Sequence, residues 1–364
     1  MERHEVPAVR INRVGFLAGG AAALAALSLP GVHFYYRSTA GEGCARCHEI
    51  RPNLESWRAS SHRRINCLDC HESTMEASVR RVAAHWKGDI PERPRLKLRD
   101  VFAMTQRCKN CHRQEYAQWR SGPHATTYAR IFTDPEHNRK RRLMDDCLRC
   151  HGMHFEGAIG DVVQPVNTKG PWALKDAGLV DAPAIPCLTC HSMHREGEPM
   201  PRSASRIGAR QERFRPSVSL MDRRSQMHLG AAYLPAPAML EGARPVRMSP
   251  DRRQALCYQC HSPLASRQAG SGDDRTPLGV HEGLSCLACH QKHGQWTRAS
   301  CADCHPRLSN CGLDVETMDT TFKDPKSRHN VHFVKCADCH PKGVPPRRQA
   351  NRATAETAAG SRRP

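Results

Sequence analysis

The sequence predicts a mainly α fold, built of short helices and long loops with little or no β-structure. Three observations carry that prediction. A five-residue kernel, Cys-x-x-Cys-His, occurs nine times in 364 residues. Aromatic residues make up 5% of the chain and its mean hydropathy is −0.64, too polar to supply a large side-chain core. One apolar stretch, Val14 to Tyr36, stands apart near the start.

The kernels set the chemistry. Their cysteines are Cys44 and Cys47, Cys67 and Cys70, Cys108 and Cys111, Cys147 and Cys150, Cys187 and Cys190, Cys257 and Cys260, Cys286 and Cys289, Cys301 and Cys304, and Cys336 and Cys339. They close on His48, His71, His112, His151, His191, His261, His290, His305 and His340, and only Cys311 of the cysteines is left over. A disulfide framework or zinc knuckles would also use paired cysteines, but neither requires His directly after every second Cys. Histidine is 22 of 364 residues, so nine such placements by chance have a probability on the order of 10⁻¹¹. Covalent attachment of haem c requires each one: two thioethers fix the porphyrin and the following His ligates the iron. The expectation is therefore nine covalent haems that replace the missing apolar core. The formal charge of +19 is then offset largely by haem propionates. No basic-aromatic motif points to nucleic acid.

Residues 1–13 are short and net basic, and residues 14–36 are apolar and long enough to span a bilayer. Arg10 and Arg13 place the N-terminus in the cytoplasm, and Phe34, Tyr35 and Tyr36 suit the outer interface. This predicts an anchor in the inner membrane with the haem region in the periplasm. The alternative is a cleaved signal at Ser38-Thr39-Ala40, leaving a soluble periplasmic protein. Residues 37–99 carry the first two kernels. Residues 100–200 carry three more, with start-to-start intervals from Cys67 of 41, 39 and 40 that suggest a repeated module. Within them, the stretch from Gly157 to Pro186 reads as loop. Residues 201–250 hold no kernel and many arginines, including Arg202, Arg206, Arg210, Arg213, Arg215, Arg223 and Arg224, as in a surface strap. Residues 251–342 carry four kernels, and residues 343–364 read as a disordered basic tail.

The first kernel is followed by Glu49-Ile50-Arg51-Pro52, then Trp57, Ser61-His62 and a close second kernel. With the apolar segment, residues 10–75 resemble the NapC/NirT family of membrane-anchored quinol-oxidising cytochromes, which implies a quinol among the candidate donors. That family often has Met where this chain has Ile50. The order Cys111-His112, Trp119, Ser121, His124 resembles the hydroxylamine-oxidoreductase and pentahaem nitrite-reductase superfamily. Residues 286–305 resemble the doubled Cys-x-x-Cys-His domain of multihaem electron carriers.

Distal iron ligands must come from the other histidines. His62, His85, His124, His154, His194, His281, His293, His329 and His332 are the candidates, with His137 and His228 weaker ones. His154, His194 and His293 each follow a kernel His by three residues. In a short helix such neighbours share one face, so each is placed to reach a neighbouring haem and not its own. Met153 and Met193 read as packing residues. Complete bis-His ligation leaves no open iron, which favours an electron carrier over an enzyme, and no catalytic residue is assigned. The carrier would relay electrons between a membrane donor and a periplasmic or outer-membrane redox protein. The alternative is an oxidoreductase acting on a small nitrogen or sulfur oxyanion at one five-coordinate haem.

Overall fold

The computed structural model describes residues 13–40, 42–71, 74–88, 96–194, 218–235, 238–251, 253–261, 275–294, 321, 324 and 326–343. The kernel from Cys301 to His305, Cys311, the arginines from Arg202 to Arg215, and the tail from residue 344 lie outside the described residues. The architecture is mainly helical, with short helices and little sheet. The chain divides into two compact units, one mostly Met1–Pro235 with Gln291–Trp296, the other mostly Ala236–Arg267, Ser271–His290 and Thr297–Pro364.

In the first unit the apolar stretch forms one helix, Arg13–Ser38. Its Leu17, Leu24 and Leu27 are exposed, and it is long and apolar enough to cross a membrane, a character that a signal sequence shares. It meets the helix Met75–Lys87. That second helix has well-formed ends: the Thr74 hydroxyl accepts from the Ala77 N–H, and Gly88 closes it at φ +70.

Most kernels share one local form. In those beginning at Cys67, Cys108, Cys147, Cys187, Cys257, Cys286 and Cys336, the His N–H donates to the carbonyl of the first Cys at 2.8–3.1 Å. That single turn brings residues i, i+3 and i+4 to one side, which is the grouping of two thiols and an imidazole that the motif needs. Side chains start two of these turns: Asn66 accepts from Leu68 N–H and Ser285 accepts from Leu287 N–H.

The first unit also has a conventional apolar core, which the polar composition argued against. Tyr128, Phe132, Leu148, Val162 and Val163 are at most 1% exposed and pack with Leu143, Leu179 and Ala184. The composition misled because it counts residue types and not their burial: between residues 98 and 185 apolar residues are about as frequent as in the whole chain, but many of them pack into one buried cluster. The expected loop from Gly157 to Pro186 therefore supplies core: it contains the helical turn Ile159–Val162 and the antiparallel pair Val163–Gln164 with Ala173–Leu174. The fourth kernel closes onto this core at Gly152, φ +108, where a Cβ would lie 2.9 Å from the Tyr128 hydroxyl.

The described end of the expected surface strap is a hairpin, Ser219–Asp222 against Met227–Gly230. Ser219, Leu220 and Met221 are buried, and the Ser219 N–H donates to Cys190 O at 3.0 Å, so this part is packed and not a solvated excursion.

The second unit is held differently. Few of its described apolar side chains are buried, among them Val246, Ala255, Tyr258 and Val334. Leu278 N–H donates to His332 O and Val280 N–H to Val334 O. Gly279 permits this approach, because a Cβ there would fall 2.2 Å from the Val334 carbonyl. Arg244 pairs with Glu241 and Glu282, Lys335 with Glu241, and the Arg247 N–H donates to Glu282 at 2.6 Å.

Candidate haem-binding sites

Two imidazoles bound to opposite faces of one iron have their ring centroids about 6 Å apart, because each metal–nitrogen bond is about 2 Å long. Among the described residues, several pairs that join a kernel His to a candidate distal His meet that requirement. They include His48 with His85 at 6.4 Å, His112 with His62 at 6.0 Å, His71 with His194 at 6.0 Å, His191 with His293 at 6.2 Å, and His290 with His332 at 6.1 Å. The residues present therefore fit bis-His haem. His194 and His293, three residues beyond their own kernels, each face the imidazole of a different kernel.

The supporting contacts fix the rings. Nδ1 of His194 lies 3.1 Å from Asn53 O, Nδ1 of His332 lies 3.0 Å from Asn330 Oδ1, and Nδ1 of His281 lies 2.9 Å from Val331 O. Such contacts select the tautomer that leaves Nε2 for a metal. Burial, reinforced by His194 and then Arg81 and Arg107, pushes the His71 imidazole down to about 4, so it stays neutral and able to ligate. Glu49 Oε1 lies 3.2 Å from both His48 Nε2 and His85 Nδ1. Hydrogen bonding to its own backbone N–H, then the two imidazoles, holds its carboxyl below the usual range.

The candidates His124, His281 and His329 sit respectively on the turn Pro123–Ala125, on the turn Gly279–His281, and after a turn in which the His329 N–H donates to Ser327 Oγ. The weak candidate His228 is brought opposite His154, with centroids 6.4 Å apart. The repeated placement three residues past a kernel marked His154, but no local pattern marked His228, because the hairpin that carries it is set by contacts with the fifth kernel. Met153 is buried and Met193 packs beside Val101, Met104 and Leu188, as packing residues do.

The attachment thiols also come together. The Cys108 and Cys187 thiols are hydrogen-bonded to each other, which raises the first and lowers the second, and Cys257 and Cys286 form a second such pair. Burial and then Cys67 raise Cys44, and burial and then Cys108 raise Cys70. In the first unit the contacts run from kernel one to two, two to three, and three to five.

Two family models match the chain. Cytochrome c554 and c-prime matches residues 107–192, and cytochrome c7 and related cytochrome c matches residues 246–306. Both are c-type cytochromes. The matched stretches hold the kernels beginning at Cys108, Cys147 and Cys187 and those beginning at Cys257, Cys286 and Cys301. They mark the chain as a multihaem c-type cytochrome, with covalent haem c and an electron-transfer role. The matches lie outside residues 10–75, the stretch that resembles the NapC/NirT family. No curated protein and no solved structure matches the chain.

Proposed function

We propose that the chain is a membrane-anchored periplasmic nonahaem cytochrome c that relays electrons through mostly bis-His haems. Its donor is in the membrane, with a quinol as one candidate, and its acceptor is a periplasmic or outer-membrane redox protein. The observation that carries the reading is the set of kernel histidines that, among the described residues, each face a second imidazole at 6.0–6.4 Å. An iron ligated on both faces has no position for substrate and exchanges single electrons between its ferric and ferrous states.

The rest of the machinery belongs to the chain. Asn53 and Asn330 hold distal imidazoles in the ligating tautomer, and burial keeps His71 neutral. The thiol contacts support close neighbours among the tethered groups, which short electron-transfer steps require. The exposed apolar helix Arg13–Ser38 supports the anchor, and the resemblance of residues 10–75 supports a membrane donor.

Mass spectrometry of the mature protein is expected to show nine haem additions, with the Arg13–Ser38 segment retained. Low-temperature EPR of the oxidised protein, with and without nitrite or hydroxylamine, reads the ligation. Low-spin ferric haems that ignore both additives are expected. A high-spin signal that shifts on addition would replace the carrier with an enzyme that binds oxyanions at an open iron.

A further inference from the structure

The pair formed by His154 and His228 contains no kernel histidine, yet it repeats the geometry of the pairs that do. The rings lie 6.4 Å apart and are tilted by 49°. Each is fixed from behind: His228 Nδ1 lies 3.0 Å from Ser219 Oγ, and His154 bonds the backbone of Leu188, inside the fifth kernel. The remaining nitrogen of His154, Nε2, is buried and has no hydrogen-bond partner among the described residues.

A buried imidazole nitrogen left unpaired is costly, and a ring whose first nitrogen is tied by a hydrogen bond presents the second as a metal ligand. The strand carrying His228 is held in register against Met221, and its partner strand is tied through Ser219 N–H to Cys190 O. Both ligands are thus positioned by the same short stretch, Cys187 to Cys190.

We infer that His154 and His228 are the two axial ligands of one haem iron, which takes neither ligand from a Cys-x-x-Cys-His histidine. The inference rests on the haem reading above and goes beyond it, since that reading supplies one ligand of every iron from a kernel. The porphyrin has two possible sources with the same coordination chemistry. It is either tethered by the cysteines of an adjacent kernel or an untethered protohaem held by coordination alone.

The test uses the full-length haem-loaded protein and the variants His228→Ala, His228→Met and His154→Ala. In His228→Ala, one low-spin haem equivalent is expected to become high-spin in EPR while the thioether haem count by mass stays constant. In His228→Met that haem remains low-spin, and one midpoint potential in a redox titration rises, because Met ligation raises the potential. Extraction with acidified acetone separates the sources. One haem per chain extracted from the wild type and lost in His154→Ala identifies untethered protohaem, whereas no extractable haem identifies a tethered one. The inference is overturned if His228→Ala leaves every low-spin signal in place and His228→Met leaves every midpoint potential unchanged. Wild-type protein without any haem addition would remove both readings, whereas a full haem complement with unresponsive His228 variants removes this one alone.

Discussion

Residues 98–194 and residues 238–343 carry the same kernel at similar density but are stabilised in opposite ways. The first stretch buries Tyr128, Phe132, Leu148, Val162 and Val163 almost completely and ties Trp119 Nε1–H to Ile185 O at 3.1 Å. The second has few buried apolar side chains among its described residues and relies on charged pairs around Glu241 and Glu282. Attached haem would therefore add to an existing side-chain core in the first stretch, whereas the described residues of the second leave most of an apolar interior for haem to supply. The largest expected effect follows from that difference. Replacing Cys286 and Cys289 by Ser should make residues 275–343 at least about tenfold more susceptible to limited proteolysis, because local opening would approach global unfolding. The same change at Cys147 and Cys150 should leave residues 98–185 protected. Equal sensitivity of both stretches, read by mass mapping of the fragments, would break the comparison.

The core of the first stretch can be challenged directly. Phe132 is fully buried against Tyr128, with ring centroids 5.7 Å apart. Phe132→Ala should cost about 3–5 kcal/mol through lost transfer energy and a cavity. Hydrogen exchange should show that loss across residues 128–185. In the second stretch, Val334→Ala removes far less apolar area and should cost about 1.5 kcal/mol, confined to residues 278–280 and 332–334. If the two losses are similar, the second stretch has more side-chain core than its described residues show.

The contrast also explains what could be read from sequence. The kernels were legible because covalent chemistry fixes residue types at adjacent positions, and the turn that presents them is local. The general need for distal histidines was legible for the same reason, as in the repeated placement of His194 and His293. Which iron each serves was not. His194 lies against Asn53, 141 residues away in the chain, and faces His71, and no short pattern encodes so distant a partner. A distal ligand needs only a correctly aimed Nε2, so His228 on its hairpin resembles a surface histidine until Ser219 and His154 are placed beside it. The core was missed because composition does not say which side chains meet: Tyr128, Phe132, Leu143 and Leu148 lie in a stretch no richer in apolar residues than the chain as a whole, yet they are buried together.

The smallest effect is expected at Glu282, and its sign is the most informative. Arg244, then the Arg247 N–H, hold this carboxyl at about 2, below its ordinary value of 4.5. The folded second unit therefore favours the ionised form more than the unfolded chain does. The contribution is fully present above about pH 5 and is lost as pH falls toward about 2, because the unfolded chain takes up the proton first. Glu282→Gln should remove this part of the acid dependence of hydrogen exchange in residues 240–282. Residues 128–163 should show no change, since their buried core is apolar. Added salt should weaken the wild-type effect, because the pairs with Arg244 are half-exposed and screened. A Glu282→Gln protein with the wild-type acid profile would mean that haem ligation, not the charged network, holds the hairpin Leu240–Glu241 and Arg244–Pro245 in place.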